Sequence, residues 1–133
     1  MSAMSNHLET AIGDHLFRAS TFSKPSAIYV ALFTTAPNDD NSGTEVSGGS
    51  YARVEVAQQN NKWNASDGQY TNNVDIEYPD PTANWGTVTH FGIFDASSGG
   101  NLLIWGILDR PKVINSGDAN AKFSAGTLNI TFK

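Results

Sequence analysis

Cysteine is absent from the 133 residues and histidine occurs three times. The first absence excludes a disulfide framework, a thiolate metal site and a cysteine nucleophile. The second leaves little material for a histidine-based metal centre. Basic residues are few as well: 8 Lys and Arg against 13 Asp and Glu give a formal charge of −5. No Lys/Arg patch is dense enough to displace counterions from a nucleic acid, and the overall sign opposes an anionic membrane surface. The longest apolar run, Ala27 to Phe33, falls far short of the roughly 20 residues that span a bilayer. Met1 to Phe22 has no basic cluster leading into an apolar stretch, so no secretory signal is read there and synthesis in a cytoplasm is expected.

What the chain does have is apolar and aromatic material, 39% and 11% of its residues, enough for one core at this length. A single domain over residues 1–133 is expected, with an N-terminal helical arm over 1–22 and a β-sandwich over 26–133. The only helical periodicity lies in residues 6–19, where Leu8, Ala11, Ile12, Leu16 and Ala19 recur at spacings of three and four. Asn6 and Glu9 read as a capping pair at its start.

Beyond Pro25 the signals are those of β-structure. Ala27 to Thr34 is apolar on both alternating faces, the pattern of an interior strand buried on both sides. Residues 36–50 are polar and glycine-rich, a long loop of the kind that is mobile or meets partners. Tyr51 to Ala57 and Asn73 to Tyr78 alternate with the period of half-buried strands, joined by a polar connection over 58–72. Thr87 to Phe94 and Leu102 to Leu108 flank a turn sequence and read as a hairpin, and Val113–Ile114 with Lys122–Phe123 as a second excursion. Thr127 to Phe132 closes the chain as a strand with Leu128, Ile130 and Phe132 inward. The fold class is therefore mainly β: a single antiparallel β-sandwich or flattened barrel of about seven strands with one short N-terminal helix.

No constellation of catalytic residues emerges. His7 and His15 lie eight residues apart on the helix with Ala11 between them, and there is no Gly-x-Ser-x-Gly elbow to pair with His90. Asp39-Asp40-Asn41-Ser42-Gly43 opens like a calcium loop, but its glycine comes one place early and Ser50 stands where a bidentate glutamate is required. Asp75 and Glu77 share a strand face, which reads as an exposed polar face. No catalytic residue, metal ligand or cofactor site is assigned. Trp63 and Trp85 lie in polar loops, where tryptophan either plugs a core, anchors an interface or offers a stacking platform to a sugar; Trp105 lies in a strand and reads as core. The residues singled out for interaction are Leu8, Ile12, Leu16, Trp63 and Trp85.

Several blocks carry a resemblance: the helix ending near Leu16-Phe17, then Ile28 to Pro37, Glu45 to Arg53, Trp85 to Asp95, Gly99 to Leu103 and Phe123 to Leu128. In this order they resemble a family of small tailed-bacteriophage virion proteins, both tail-fibre-like and head-decoration-like. The resemblance implies a non-enzymatic structural component of the virion, made in the host cytoplasm. Shortness and the lack of an internal repeat favour a capsid decoration or cement protein that binds the major capsid protein and its own copies, as a trimer or higher homo-oligomer. The alternative is a tail-associated adaptor or small tail-fibre protein bound to tail proteins, with host-glycan binding through the loop tryptophans. Neither nucleic acid nor membrane is an expected partner.

Overall fold

The structure, a computed structural model, describes residues 2–132. In chain order its elements are β1 (Ser2–Met4), α1 (Asn6–Phe17), β2 (Ile28–Phe33), β3 (Val54–Val56), β4 (Trp63–Ser66), β5 (Gln69–Asn72), β6 (Ile76–Glu77), β7 (Gly86–Phe94), β8 (Leu102–Ile114), β9 (Lys122–Phe123) and β10 (Asn129–Thr131). Among the described residues these form a five-stranded sheet in the order β1-β8-β7-β2-β3, a three-stranded sheet β10-β5-β4 and a pair β6-β9, every pairing antiparallel. The described residues are mainly β with one helix, sandwich-like and without a closed barrel. Among the described residues ten strands, from two residues in β6 and β9 to 13 in β8, stand where about seven were expected.

β2 behaves as its sequence dictates. It is paired on both edges, with β7 and β3, and apolar on both faces. Val30 and Leu32 join Phe91, Ile93 and Ile104 in the main core, which Ile76, Tyr78, Leu128 and Ile130 close from the smaller sheets. Ala31 and Phe33 point the other way, into a second cluster with Phe94, Leu102 and the half-buried Trp105. Gly92 is small for a reason here: a Cβ would sit 2.9 Å from both Leu102 and Phe33, so the second cluster packs directly on backbone.

The N-terminal segment departs from the expected arm. β1 pairs with β8 in the register Ser2 to Gly106 and Met4 to Ile104, so residues 2–4 are part of the main sheet. The helix is capped by Ser5, not by the expected Asn6–Glu9 pair: the Ser5 hydroxyl accepts from the Leu8 amide at 3.1 Å and donates to the Leu102 carbonyl. One buried serine thereby stops the edge strand, starts the helix and ties both to β8.

Three other expectations change. Residues 58–72 contain the hairpin β4–β5, turned at Asp67-Gly68 with φ of +50° and +79°, the left-handed pair of a type I′ turn. β8 runs without interruption to Ile114. Its register against β7 passes from His90–Ile107 to Val88–Lys112, so that Thr89 alone faces the four residues 108–111, a wide bulge containing Pro111. The loop 36–50 doubles back along β2, with the Thr34 amide donating to the Thr44 carbonyl and the Val46 amide to the Leu32 carbonyl, both at 2.9 Å.

Candidate functional site

α1 lays one face on the main core and leaves its last turn in water. Leu8 is buried and Ile12 packs against the core, but Leu16 and Phe17 are 66% and 86% exposed. The chain then runs back through Phe22 and Pro25 to Ile28. Between this return, α1 and the hairpin β4–β5 lies an apolar groove of about 830 Å³. Leu8, Ile12 and Trp63 line it, together with Ile104 and Ile130 from two different sheets. On its rim Tyr70 and Phe132 form an edge-to-face pair, ring centroids 5.8 Å apart, each 40% exposed.

The structure therefore gathers three of the five residues singled out in the sequence, Leu8, Ile12 and Trp63, and sets Leu16 one turn beyond. Leu8 is a wall of the groove and is not itself a surface residue. Trp63 is half-buried, and its indole N–H is buried without a hydrogen-bond partner among the described residues. A buried unpaired donor is costly, which sets Trp63 apart from the other two tryptophans.

Trp85 is elsewhere. It is 5% exposed, stands edge-on to Tyr51 at 5.4 Å and donates its indole N–H to the Gly49 carbonyl at 2.9 Å. A sugar cannot reach that ring, and of the three readings open for Trp85 this geometry fits the core plug. Trp105, expected as core, packs half-buried against the second cluster and donates its indole N–H to the Asp39 carboxylate at 2.8 Å. Two of the three indole N–H groups thus find an acceptor, the Gly49 carbonyl for Trp85 and the Asp39 carboxylate for Trp105.

The polar residues weighed for chemistry are held in local structure. His90 shares a 2.7 Å hydrogen bond with the Thr89 hydroxyl and lies against Trp105; burial pushes its pKa below the ordinary histidine value. Asp75 pairs with Lys122 at 3.7 Å and accepts from the Ala125 amide, while Glu77 faces Asn120. Asp40 accepts from the Ser42 amide within its own turn. Among the described residues no three His, Asp or Glu side chains group to hold a metal ion, and no helix is long and apolar enough to cross a membrane.

A network the sequence reading did not find lies over the second hydrophobic cluster. The Arg53 guanidinium grips the Glu45 carboxylate through two bonds of 2.8 Å, donates to the carbonyls of Ala96 and Gly99 at 2.9 Å, and sits 3.7 Å over the Phe94 ring. Tyr51 donates to the same carboxylate at 2.7 Å and accepts from the Leu32 amide; its burial, first among several causes, pushes the phenol pKa far above the ordinary value. The spacing of Glu45, Tyr51 and Arg53 inside one block carrying the family resemblance was the available signal.

Over residues 3–131 the chain matches a family model described as Podophage GP4 fiber I protein gp80, and it belongs to that family. No curated protein matches it. Membership makes the chain a structural protein of the bacteriophage virion, in agreement with the resemblance carried by its sequence blocks.

Proposed function

We propose that this member of the podophage fiber I family is a non-enzymatic fibre component, folding as one unit and joining other virion proteins and its own copies through the apolar groove. The observation that carries the fibre reading is the family match, whose description is that of a fibre protein. Shortness and absence of repeats had pointed to capsid decoration, but a short module at a fibre junction has the same composition. The two differ in multiplicity. Quantitative mass spectrometry of purified particles is expected to give a small copy number relative to the major capsid protein, in a multiple of three or six; a count in the hundreds would overturn the fibre reading in favour of decoration.

The self-contact follows from complementarity within one chain. Leu16 and Phe17 project as an apolar knob from the helix whose earlier turns, at Leu8 and Ile12, wall an apolar groove. A knob and a hole side by side on one element allow copies to exchange them in a closed ring or pair. Burying two such side chains contributes roughly 1.5 to 3 kcal/mol each. The double substitution Leu16→Asp, Phe17→Asp is expected to weaken association at least about a hundredfold in sedimentation equilibrium while leaving the melting temperature of the monomer unchanged. A wild-type chain that stays monomeric at high concentration, or a variant that associates as well as wild type, would refute this contact.

A further inference from the structure

We propose that residues 18–26 form a strap along the apolar groove that His15 latches, and that protonation of this imidazole releases the strap and uncovers the inner face of α1. The inference concerns a wall of the groove and not its occupant, so it stands whether or not copies meet there.

The sequence leaves this segment little to hold it. Ser20, Thr21, Ser23 and Ser26 are small and polar, and Pro25 lacks an amide donor and keeps Lys24 extended. α1 ends at Phe17, and Arg18, with φ of −129° and ψ of −173°, sends the chain out of the helix. Among the described residues, 19–26 make one hydrogen bond: the Phe22 amide donates to His15 Nδ1 at 3.1 Å. Phe22 is also the strap residue that packs against the main core. Space lies on both sides of it. Phe22 and Pro25 line the groove of about 830 Å³ and also a smaller cavity of about 370 Å³, whose other walls include His7, Asp14 and Asp95. The strap is thus a partition between two volumes, held by one apolar ring and one bond, the anatomy of a segment that opens locally.

The chemistry of the latch sets its sign. A ring nitrogen that accepts from an amide carries no proton, so the bond exists only with neutral imidazole, its hydrogen on Nε2. Protonation sets a second N–H against that of Phe22, and the acceptor is gone. His15 stands in the last turn of α1, where the helix dipole favours a positive charge, so the imidazolium is accommodated once the strap has left. The other charged and titratable groups about the strap are Asp14 and Arg18, paired at 3.6 Å on α1, Lys24 on the strap itself, and His7 with Asp95 across the smaller cavity. Carboxylates and lysines ordinarily keep their charge between about pH 7.5 and about pH 5.5, whereas histidine changes there. Release joins the two volumes where Phe22 now divides them.

The test follows hydrogen exchange of the full chain by NMR at about pH 7.5 and about pH 5.5, each rate taken relative to that of an unstructured amide at the same pH. Protection of the Phe22 amide is expected to fall about tenfold in acid, the scale of one hydrogen bond, while the amides of β2 and β7 keep theirs. The Trp63 indole N–H, buried in the groove wall, is expected to exchange faster in step, and the Trp85 indole N–H, bonded to Gly49, is not. His15→Ala, at an exposed helix position, should show the acid behaviour already at the higher pH and lose the pH dependence, whereas His7→Gln should keep it. Unchanged Phe22 protection, a pH dependence that survives in His15→Ala or vanishes in His7→Gln, or a Phe22 response that leaves Trp63 unmoved would each overturn the proposal. So would a parallel loss in the β2 amides, which would mean that acid loosens the whole fold.

Discussion

Arg53→Ala is expected to lower the free energy of unfolding by about 3 to 5 kcal/mol, the range for removing one member of a buried ion pair. The side chain is 7% exposed in its pair with Glu45. Its loss leaves a partly buried carboxylate with only the Tyr51 hydroxyl, and leaves the Ala96 and Gly99 carbonyls without their side-chain donor. The Phe94 ring also loses the cation above it. Arg53→Lys keeps the charge but not the planar fork, so it is expected to recover less than half of the loss. Urea denaturation should show the midpoint falling at unchanged slope; a loss under about 1 kcal/mol would mean that solvent already screens the pair. Glu45→Gln in the same background measures how much of the effect is coupling between the two residues.

The position of this network explains why the effect should be large. Glu45 lies where the loop 36–50 bridges β2, Arg53 just before β3, and the two carbonyls in the turn between β7 and β8. One guanidinium thus joins directly three segments that strand pairing links only by way of β2, and roofs the second hydrophobic cluster. The same loop is tied at its other end, where Asp39 accepts from Trp105 and its carbonyl accepts from the Asn6 amide at 2.9 Å. Polarity and glycine content foretold irregular structure there. They could not foretell its anchoring, because that depends on acceptors supplied by residues far away in sequence.

The parts of the fold legible in the sequence are those in which local pattern and tertiary demand coincide. β2 is apolar on both faces because both faces are covered, and the β7–β8 hairpin announces itself by two β-rich runs around a turn. Where the two demands separate, the reading fails in an orderly way. Hairpin β4–β5 is polar because much of it faces water, so hydrophobic periodicity missed it and only Asp67-Gly68 marked the turn. β1 is three residues long and exists through its pairing with β8, which no window on residues 2–4 can show. The interaction residues follow the same rule: Leu8, Ile12 and Leu16 were found by helical spacing, but which of them would be wall and which would be surface depended on where the helix ends. The readings for Trp85 stayed open in the sequence because its burial depends on the Gly49 carbonyl and the Tyr51 ring, 36 and 34 positions away.

Asn72 shows how a single polar side chain can hold what the short strands cannot. It is 0% exposed, and its amide donates to the Val74 carbonyl at 2.8 Å and the Ser124 carbonyl at 3.0 Å while its oxygen accepts from the Leu128 amide at 2.9 Å. These bonds join the end of β5 to the start of β6 and to the segment between β9 and β10. β6 and β9 have two residues each, too few to fix their own register. Asn72→Leu keeps the volume but leaves two carbonyls and one amide buried without these partners, at roughly 1 to 3 kcal/mol for each group. A total loss of about 4 kcal/mol is expected in chemical denaturation. Asn72→Asp should be worse in kind: the carboxylate still accepts from Leu128 but turns a second acceptor toward the Val74 and Ser124 carbonyls. Its damage is therefore expected to grow as the pH rises through the range in which that buried acid ionises, and to shrink in acid, where the protonated group regains one donor. If Asn72→Asp were instead as stable as wild type at neutral pH, the carbonyls would have to be satisfied by water, and the join between the smaller sheets would rest on apolar contact alone.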